Sequence, residues 1–357
     1  MAGVIVLSGG GTGGHVFPAI ALADAIRKEQ PGQELRFLGT ERGIGSRHIR
    51  AAGYPLDTVP SEPVVGRGRL GQFRALVTLA RGIWRARHLL REQGAKLVIG
   101  VGGYASVPAV AAALTLRIPV ALLEADAEPG RANRLLGRFA ARVFVQFDAA
   151  TAHFPSDRVQ RTGFPVRPIP KREGSGSGRL RLLVLGGSQG ARSINRAITD
   201  HLAALQRLDL ALTHQTGTGD VEWVRAAYAG AGVEADVSAF FDDLPERLAC
   251  TDLVVARAGA SSVAEFCMAG LAQILVPYPF AAGGHQMQNA RDLEREGACL
   301  VVPDAQAGAR LAGEIAALAG DPERRERLGR AARQRATPDA AARIWLGCRD
   351  LLAEEAA

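Results

Sequence analysis

Val4-Ile5-Val6-Leu7-Ser8-Gly9-Gly10-Gly11-Thr12-Gly13-Gly14-His15 decides the fold: an apolar, largely β-branched run passes straight into a turn built almost wholly of glycine. A helical pattern, Phe17–Lys28, follows at once. Strand, glycine turn and helix make a phosphate-binding geometry, because bare backbone N–H groups and the positive helix end face the anion. The unit recurs half a chain later. There Leu180–Leu185 runs into Gly186-Gly187-Ser188-Gln189-Gly190 and then into the helical pattern Ala191–Leu205. Two copies of one α/β unit predict two similar domains facing one cleft.

Short apolar runs alternate with helical periods along the chain, which is the signature of parallel sheets. Expected strands are Val4–Leu7, Glu34–Leu38, Leu97–Val101, Val120–Leu123 and Val143–Val145, then Arg181–Leu185, Ala211–Thr213, Leu253–Val255, Gln273–Val276 and Cys299–Val301. Pro165-Val166-Arg167-Pro168-Ile169-Pro170 and the Gly/Ser run behind it read as a linker. The expected division is therefore residues 1–163 and 164–338, with a last helix, 339–357, started by Thr337-Pro338.

The chain has 357 residues, 47% apolar and 22% charged, a globular composition. Its net charge of +7 favours an acidic partner. Cys250, Cys267, Cys299 and Cys348 show no C-x-x-C spacing and read as free thiols of a reducing compartment. Met1 leads directly into a strand without a signal-peptide pattern, and no apolar stretch approaches bilayer length. The expected location is cytoplasmic.

Gly9-x-Gly11-x-x-Gly14 formally fits a dinucleotide fingerprint, but no acid closes the second strand to grip a ribose; Glu41 comes late. A P-loop is excluded, since His15 stands where Lys-Ser/Thr would follow. The positive end of a helix favours the neutral imidazole, the form that accepts a proton. A third turn, Gly100-Val101-Gly102-Gly103-Tyr104-Ala105-Ser106, ends a strand and enters the helix Val107–Leu116, so Tyr104 and Ser106 are expected to point towards the ligand. Arg257-Ala258-Gly259-Ala260-Ser261-Ser262-Val263-Ala264-Glu265 reads as an anion site at a helix start, with Glu265 placed for a ribose diol. The amides of His285-Gln286-Met287-Gln288-Asn289 suit sugar hydroxyls. Glu124, Asp126 and Glu128 alternate after a strand without an adjacent histidine, and no metal site is expected.

Val64–Arg91 holds seven arginines and no acid, with Leu70, Phe73, Leu76, Val77, Ile83 and Trp84 between them. A surface helix packing its apolar side inwards accounts for most of these residues. A basic rim on anionic lipid is compatible with that reading. Nucleic acid is not favoured, because no recognition motif accompanies the charge.

Taken together, Gly10–Ala19, Gly102–Ser106, Thr162–Arg167, Gly186–Arg192, Arg257–Glu265 and His285-Gln286 before Asn289 resemble glycosyltransferase family 28, in its bacterial peptidoglycan-building branch. The resemblance spans nearly the whole chain. It implies a GT-B fold: two Rossmann-like domains facing a cleft, with the last helix returning to the N-terminal one. It also implies inverting transfer of GlcNAc from UDP-GlcNAc to the 4-hydroxyl of lipid I (undecaprenyl-diphospho-MurNAc-pentapeptide), giving lipid II, with no obligatory metal or cofactor. The location it implies is the cytoplasmic face of the inner membrane, among other cell-wall synthesis proteins. By resemblance, Ser188 and Phe241 would hold the nucleotide, and Ala260, Ser261, Ser262, Val263, Ala264 and Glu265 the diphosphate and ribose. Gln286 and Asp126 would meet the sugar, while Arg167, Arg257 and Thr12, Gly13 and Gly14 would also contact the donor. His15 would be the general base with Glu124 beside it in the catalytic set, and Tyr104, Ser106 and Asn133 would lie on the acceptor side.

The chain departs from the family twice. Leu123-Glu124-Ala125-Asp126 stands for His-Glu-Gln-Asn, and Phe164 replaces an asparagine; both changes are expected at the cleft. A related transferase with another sugar or acceptor, and a UDP-sugar-binding member without turnover, carry the same motifs. A donor and acceptor panel separates them.

Overall fold

The computed structural model describes residues 3–10, 13–41, 44–62, 68–171, 178–187 and 190–354. The chain divides into two compact units, Met1–Arg167 with Thr337–Ala357, and Pro168–Ala336.

The first unit runs β1 (Val4–Ser8), α1 (Gly13–Glu29), β2 (Leu35–Gly39), α2 (Ile44–Ala51), β3 (Leu56–Thr58), α3 (Arg69–Glu92), β4 (Ala95–Gly100), α4 (Val107–Leu116), β5 (Val120–Glu124), α5 (Arg131–Leu136), β6 (Arg142–Val145), α6 (Asp148–Thr151) and β7 (Val159–Arg161). Its seven strands are all parallel, in the order β3-β2-β1-β4-β5-β6-β7. Strands covered by helices on both faces are nearly continuous apolar runs, and every residue of β1 and β5 is buried, with a polar group only at the C-terminal end of each, Ser8 and Glu124. The order reverses between β1 and β4, where Ser8 pairs with Gly100, so the glycine turns after these strands flank one switch point.

The second unit runs β8 (Leu180–Leu185), α7 (Arg192–Thr199), α8 (Leu202–Leu205), β9 (Leu210–Gln215), α9 (Val221–Gly230), β10 (Ala235–Ser238), α10 (Leu244–Ala249), β11 (Leu253–Ala256), α11 (Ala260–Ala269), β12 (Ala272–Leu275), α12 (His285–Arg295), β13 (Leu300–Val301), α13 (Ala307–Gly320) and α14 (Pro322–Gln334). Its sheet, β10-β9-β8-β11-β12-β13, is again all parallel with its switch point between β8 and β11. The chain then returns to the first unit as α15 (Ala340–Glu354), which buries Ile344, Trp345, Cys348 and Leu351 and pairs Arg349 with Glu29 of α1 at 2.8 Å. At the crossing Gly163 has φ +80°, and a Cβ there would lie 1.9 Å from Thr337 Oγ1, so no other residue fits.

Three strands were not expected: β3, β7 and β10. All are short and lie at sheet edges, where one flank is open and the apolar run that marks a buried strand is missing. The helix expected over Ala191–Leu205 is two helices. The Thr199 hydroxyl donates back to the Asn195 carbonyl at 3.0 Å, the local bond that competes with helix continuation.

The expectation that α3 packs its apolar side inwards is overturned. Its inner face is made of small or aliphatic residues, Ala75, Gly82, Ala86 and Leu90, with Ile83 partly covered. A Cβ on Gly82 would meet the Pro60 carbonyl at 2.2 Å, so this face is too close to its neighbours for bulk. Phe73 (66% exposed), Leu76, Val77 and Trp84 (75% exposed) consequently point outwards. Val64–Arg67 of the basic stretch lie outside the described residues. Among the described residues no helix is long and apolar enough to cross a membrane.

Candidate active site

In the first unit the site grows from the β1–β4 switch point. Val101 N donates to the Ser8 carbonyl at 2.7 Å, which holds the two glycine turns side by side. His15, the third residue of α1, lays its half-buried imidazole against the backbone of Gly102 and Gly103. A Cβ on Gly102 would come within 2.9 Å of His15 Cδ2, and one on Gly103 within 3.3 Å of Nδ1. Both glycines have positive φ, 98° and 75°, so conformation and space each require the missing side chain. The ring rests on a shelf of bare backbone beside the N-terminal turn that carries Gly13 and Gly14.

Glu124 closes β5 and is only 4% exposed. Its Oε1 accepts from Asp126 N at 3.0 Å, and its Oε2 from Asn133 Nδ2 at 2.9 Å and Gly130 N at 3.3 Å. Asn133 Nδ2 also donates to the Leu123 carbonyl at 3.2 Å. Glu124 and Asn133 therefore meet, and together they shape the loop that presents the half-buried Asp126. Burial, with the Asp126 charge second, pushes the Glu124 carboxyl up to about 7, against the pull of its hydrogen bonds.

Of the two residues of the third turn expected to face the ligand, Ser106 has its side chain engaged elsewhere. The Ser106 hydroxyl is buried and donates to the Gly103 carbonyl at 2.9 Å, bracing the shelf under His15. The half-exposed Tyr104 takes Ser61 Oγ on its carbonyl at 2.9 Å. Arg167 stacks over the Phe17 ring of α1 at 4.0 Å, and Phe17 in turn meets His48 edge-on. Phe164, expected at the cleft, is a buried residue, because an aromatic ring in place of an amide gains more from burial than from facing water. Thr12 lies outside the described residues.

In the second unit the glycine turn after β8 is tied to the end of β9. Gly186 N donates to the Gln215 carbonyl at 2.9 Å, and Phe241 N donates to Gln215 Oε1 at 3.0 Å. Gln215 thus bridges the Gly186–Gly190 turn and the Phe241 backbone, both expected at the nucleotide; Ser188 lies outside the described residues. Gln215 was not singled out. The signal was there in Thr213-His214-Gln215-Thr216, a polar run ending an apolar strand.

Across the switch point, β11 leads through Arg257-Ala258-Gly259 into α11. Ala260, Val263, Ala264 and Glu265 are buried, whereas Ser261 and Ser262 keep surface at the positive helix end. Arg257 is not a spare cation. Its guanidinium reaches Asp304 Oδ1 at 2.5 Å, the Val276 carbonyl at 3.0 Å and Ser193 Oγ at 3.0 Å, while Ser193 also donates to Asp304. Ser193 and Asp304 were missed because their partner is far off in the chain. Gln286 Oε1 accepts from Tyr278 N at 2.9 Å, and the fully buried Asn289 donates to the Ala258 carbonyl at 3.2 Å, fixing α12 to the turn before α11. Among the described residues no three His, Cys, Asp or Glu side chains gather where they could hold a metal ion.

Two doubly wound units, each with glycine turns at its switch point, define the GT-B class of α/β proteins. Residues 5–145 match the glycosyltransferase family 28 N-terminal domain and residues 181–344 its C-terminal domain. The chain is 41% identical over 361 residues to the UDP-N-acetylglucosamine–N-acetylmuramyl-(pentapeptide) pyrophosphoryl-undecaprenol N-acetylglucosamine transferase of Anaeromyxobacter sp. (strain Fw109-5), covering 98% of this chain and 93% of the relative. A relative of the same name from Myxococcus xanthus is 40% identical, with the same coverage. Among solved structures, Acinetobacter baumannii MurG aligns with a TM-score of 0.75 and 28% identity over 96% of this chain and 98% of that one. The Staphylococcus aureus MnaA–UDP structure, at 13% identity and a TM-score of 0.71 over 97% of this chain and 95% of that one, shares the fold alone. The chain belongs to glycosyltransferase family 28.

Proposed function

We propose that this protein transfers N-acetylglucosamine from UDP-GlcNAc to the 4-hydroxyl of lipid I, with inversion, giving lipid II for peptidoglycan synthesis. The observation that carries this reading is 41% identity across 98% of the chain to a relative named for that transfer. In this reading His15 takes the proton of the 4-hydroxyl as its oxygen attacks C1 of GlcNAc. The bond from C1 to the β-phosphate oxygen breaks, and its electron pair leaves with UDP. Ser261, Ser262 and the N-terminus of α11 stabilise the charge that develops on the diphosphate. Gly13 and Gly14 approach the donor phosphates, and Phe241, Glu265, Gln286 and Arg167 complete the donor contacts. What supports His15 is its backbone shelf at a helix start. Glu124 acts by shaping the loop of Asp126, and Asp126 accepts a hydrogen bond from a sugar hydroxyl.

The acceptor is lipid-linked, and α3 suits a lipid surface. Phe73, Leu76, Val77 and Trp84 form an exposed stripe, with Arg74, Arg81 and Arg85 exposed beside it. The apolar residues enter the headgroup boundary and the arginines bind anionic lipid from the cytoplasmic side.

The decisive experiment is transfer of labelled GlcNAc from UDP-GlcNAc to a lipid I analogue in anionic vesicles. Absence of transfer by folded protein that binds UDP would refute this function. A different nucleotide sugar is the second reading, favoured by Asp126, an acceptor-only group when ionised. Faster turnover with UDP-GalNAc or UDP-glucose would decide for it.

A further inference from the structure

Beneath the turns of the second unit runs a chain of buried polar groups that no step of the transfer uses. His214, in β9, is fully buried. Asn195 of α7 donates through Nδ2 to the Thr216 carbonyl at 3.0 Å and to Asp220 Oδ2 at 2.9 Å. Those two acceptors fix the amide's orientation, so its Oδ1 faces His214 Nε2 at 3.0 Å and must accept from it. Nε2 therefore carries the proton, and Nδ1 accepts from the Tyr228 hydroxyl at 3.1 Å. Burial lowers the imidazole to about 3, which keeps the ring neutral and every bond pointing the same way.

The chain ends where the nucleotide-side segments converge. The Thr216 carbonyl is the atom that a Cβ on Gly190 would strike at 2.6 Å. Gln215, next to His214, bridges Gly186 and Phe241. Thr216 N and Gly217 N continue to the carbonyls of Ser238 and Ala239, in the approach to Phe241. Residues 214–217 are thus the strut between both segments, and Asn195 ties the strut to the helix that follows the glycine turn.

We propose that Tyr228, His214 and Asn195 are positioning residues for the donor nucleotide: their directed hydrogen-bond chain locks residues 215–217, and through them Gly186, Gly190 and Phe241, in the conformation that binds UDP. This rests on the reading of the second unit as the donor side. Without the chain the turn still forms, but it samples conformations that do not bind, so affinity falls while the chemical step is unchanged.

The test uses the full chain, UDP binding by titration calorimetry, and transfer kinetics. His214→Gln keeps a nitrogen donor at the Nε2 position for Asn195. His214→Asn keeps only an acceptor near Nδ1 for Tyr228, and leaves Asn195 Oδ1 without its donor. Loss of one buried hydrogen bond predicts UDP binding about tenfold weaker in His214→Asn, with a matching rise in donor KM and unchanged kcat. His214→Gln, which still donates to Asn195 but leaves the Tyr228 hydroxyl without its acceptor, weakens binding about threefold, as does Tyr228→Phe, which retains the packing. Thermal melts ensure comparison at equal folded fraction. Equal weakening in the Gln and Asn variants, or wild-type affinity in His214→Asn, overturns the proposal. Should His214→Asn fail to fold, unchanged affinity in Tyr228→Phe overturns it. Wild-type protein that does not bind UDP refutes the donor reading instead, a separate outcome from variants that bind as well as wild type.

Discussion

Replacing Glu124 by glutamine should change how the first unit responds to pH. The carboxyl is 4% exposed, carries three hydrogen bonds and is raised from 4.5 to about 7 by burial and the Asp126 charge. A folded-state value above the unfolded one means that the folded state holds its proton more tightly. Stability is then fully present below about pH 4.5 and is lost as pH rises through about 7. The difference of about 2.5 units at 1.36 kcal/mol each gives about 3 kcal/mol. Glutamine does not ionise, so Glu124→Gln escapes this loss. It sets an amide nitrogen against Asp126 N, a pH-independent cost of about 1 kcal/mol. The stability difference between variant and wild type should therefore move by about 2.5 kcal/mol in the variant's favour between pH 5 and pH 8.5, the rest of the change lying below pH 5. Guanidinium unfolding at several pH values measures it, read by fluorescence in a Trp223→Phe background so that the buried Trp345 reports on the first unit. Parallel curves, with a difference constant to about 0.5 kcal/mol, would show that Glu124 does not titrate in this range and refute the reasoning.

His15→Ala should lower kcat by roughly 10²–10⁴ with donor KM nearly unchanged, and Gly103→Ala, which forces a Cβ against the ring at positive φ, should lose part of the same rate; steady-state kinetics checks both. Changing Phe73 and Trp84 of α3 to serine should abolish binding to anionic vesicles in a sedimentation assay. Neutralising Arg74, Arg81 and Arg85 should weaken it by about 1 kcal/mol per charge and reduce its salt dependence. Gly163→Ala should destabilise the first unit by several kcal/mol, and adding Thr337→Gly should restore part of that loss by clearing the colliding hydroxyl, as denaturant melts will show.

Most buried strands were legible because they are short apolar runs with glycine or proline near at least one end, and both glycine turns announced their switch points. Edge strands such as Val159-Gln160-Arg161 carry no such mark, since one flank needs no apolar cover. The outward face of α3 was illegible for the opposite reason. Phe73 and Trp84 look like core residues in any periodicity, and only the close approach at Gly82 reveals that small residues hold the inner side. Sequence spacing marked His15, Glu124 and the start of α11 as candidate site residues, and each lies beside a turn at the end of a strand. It could not find Ser193 or Asp304, whose partner Arg257 is remote in the chain and whose role is to orient it, whereas Gln215 was marked by the polar end of an apolar strand.

The return of α15 to the first unit makes the second unit an insertion within the first. During synthesis the ribosome completes Pro168–Ala336 before it makes residues 337–357. The unit that is uninterrupted in sequence can close first, while the unit begun earlier waits with the seat for Ile344, Trp345 and Leu351 uncovered. A nascent chain stalled anywhere in between exposes that apolar seat, which makes it a natural substrate for chaperones and proteases. Quality control can thus recognise an unfinished molecule by one missing helix.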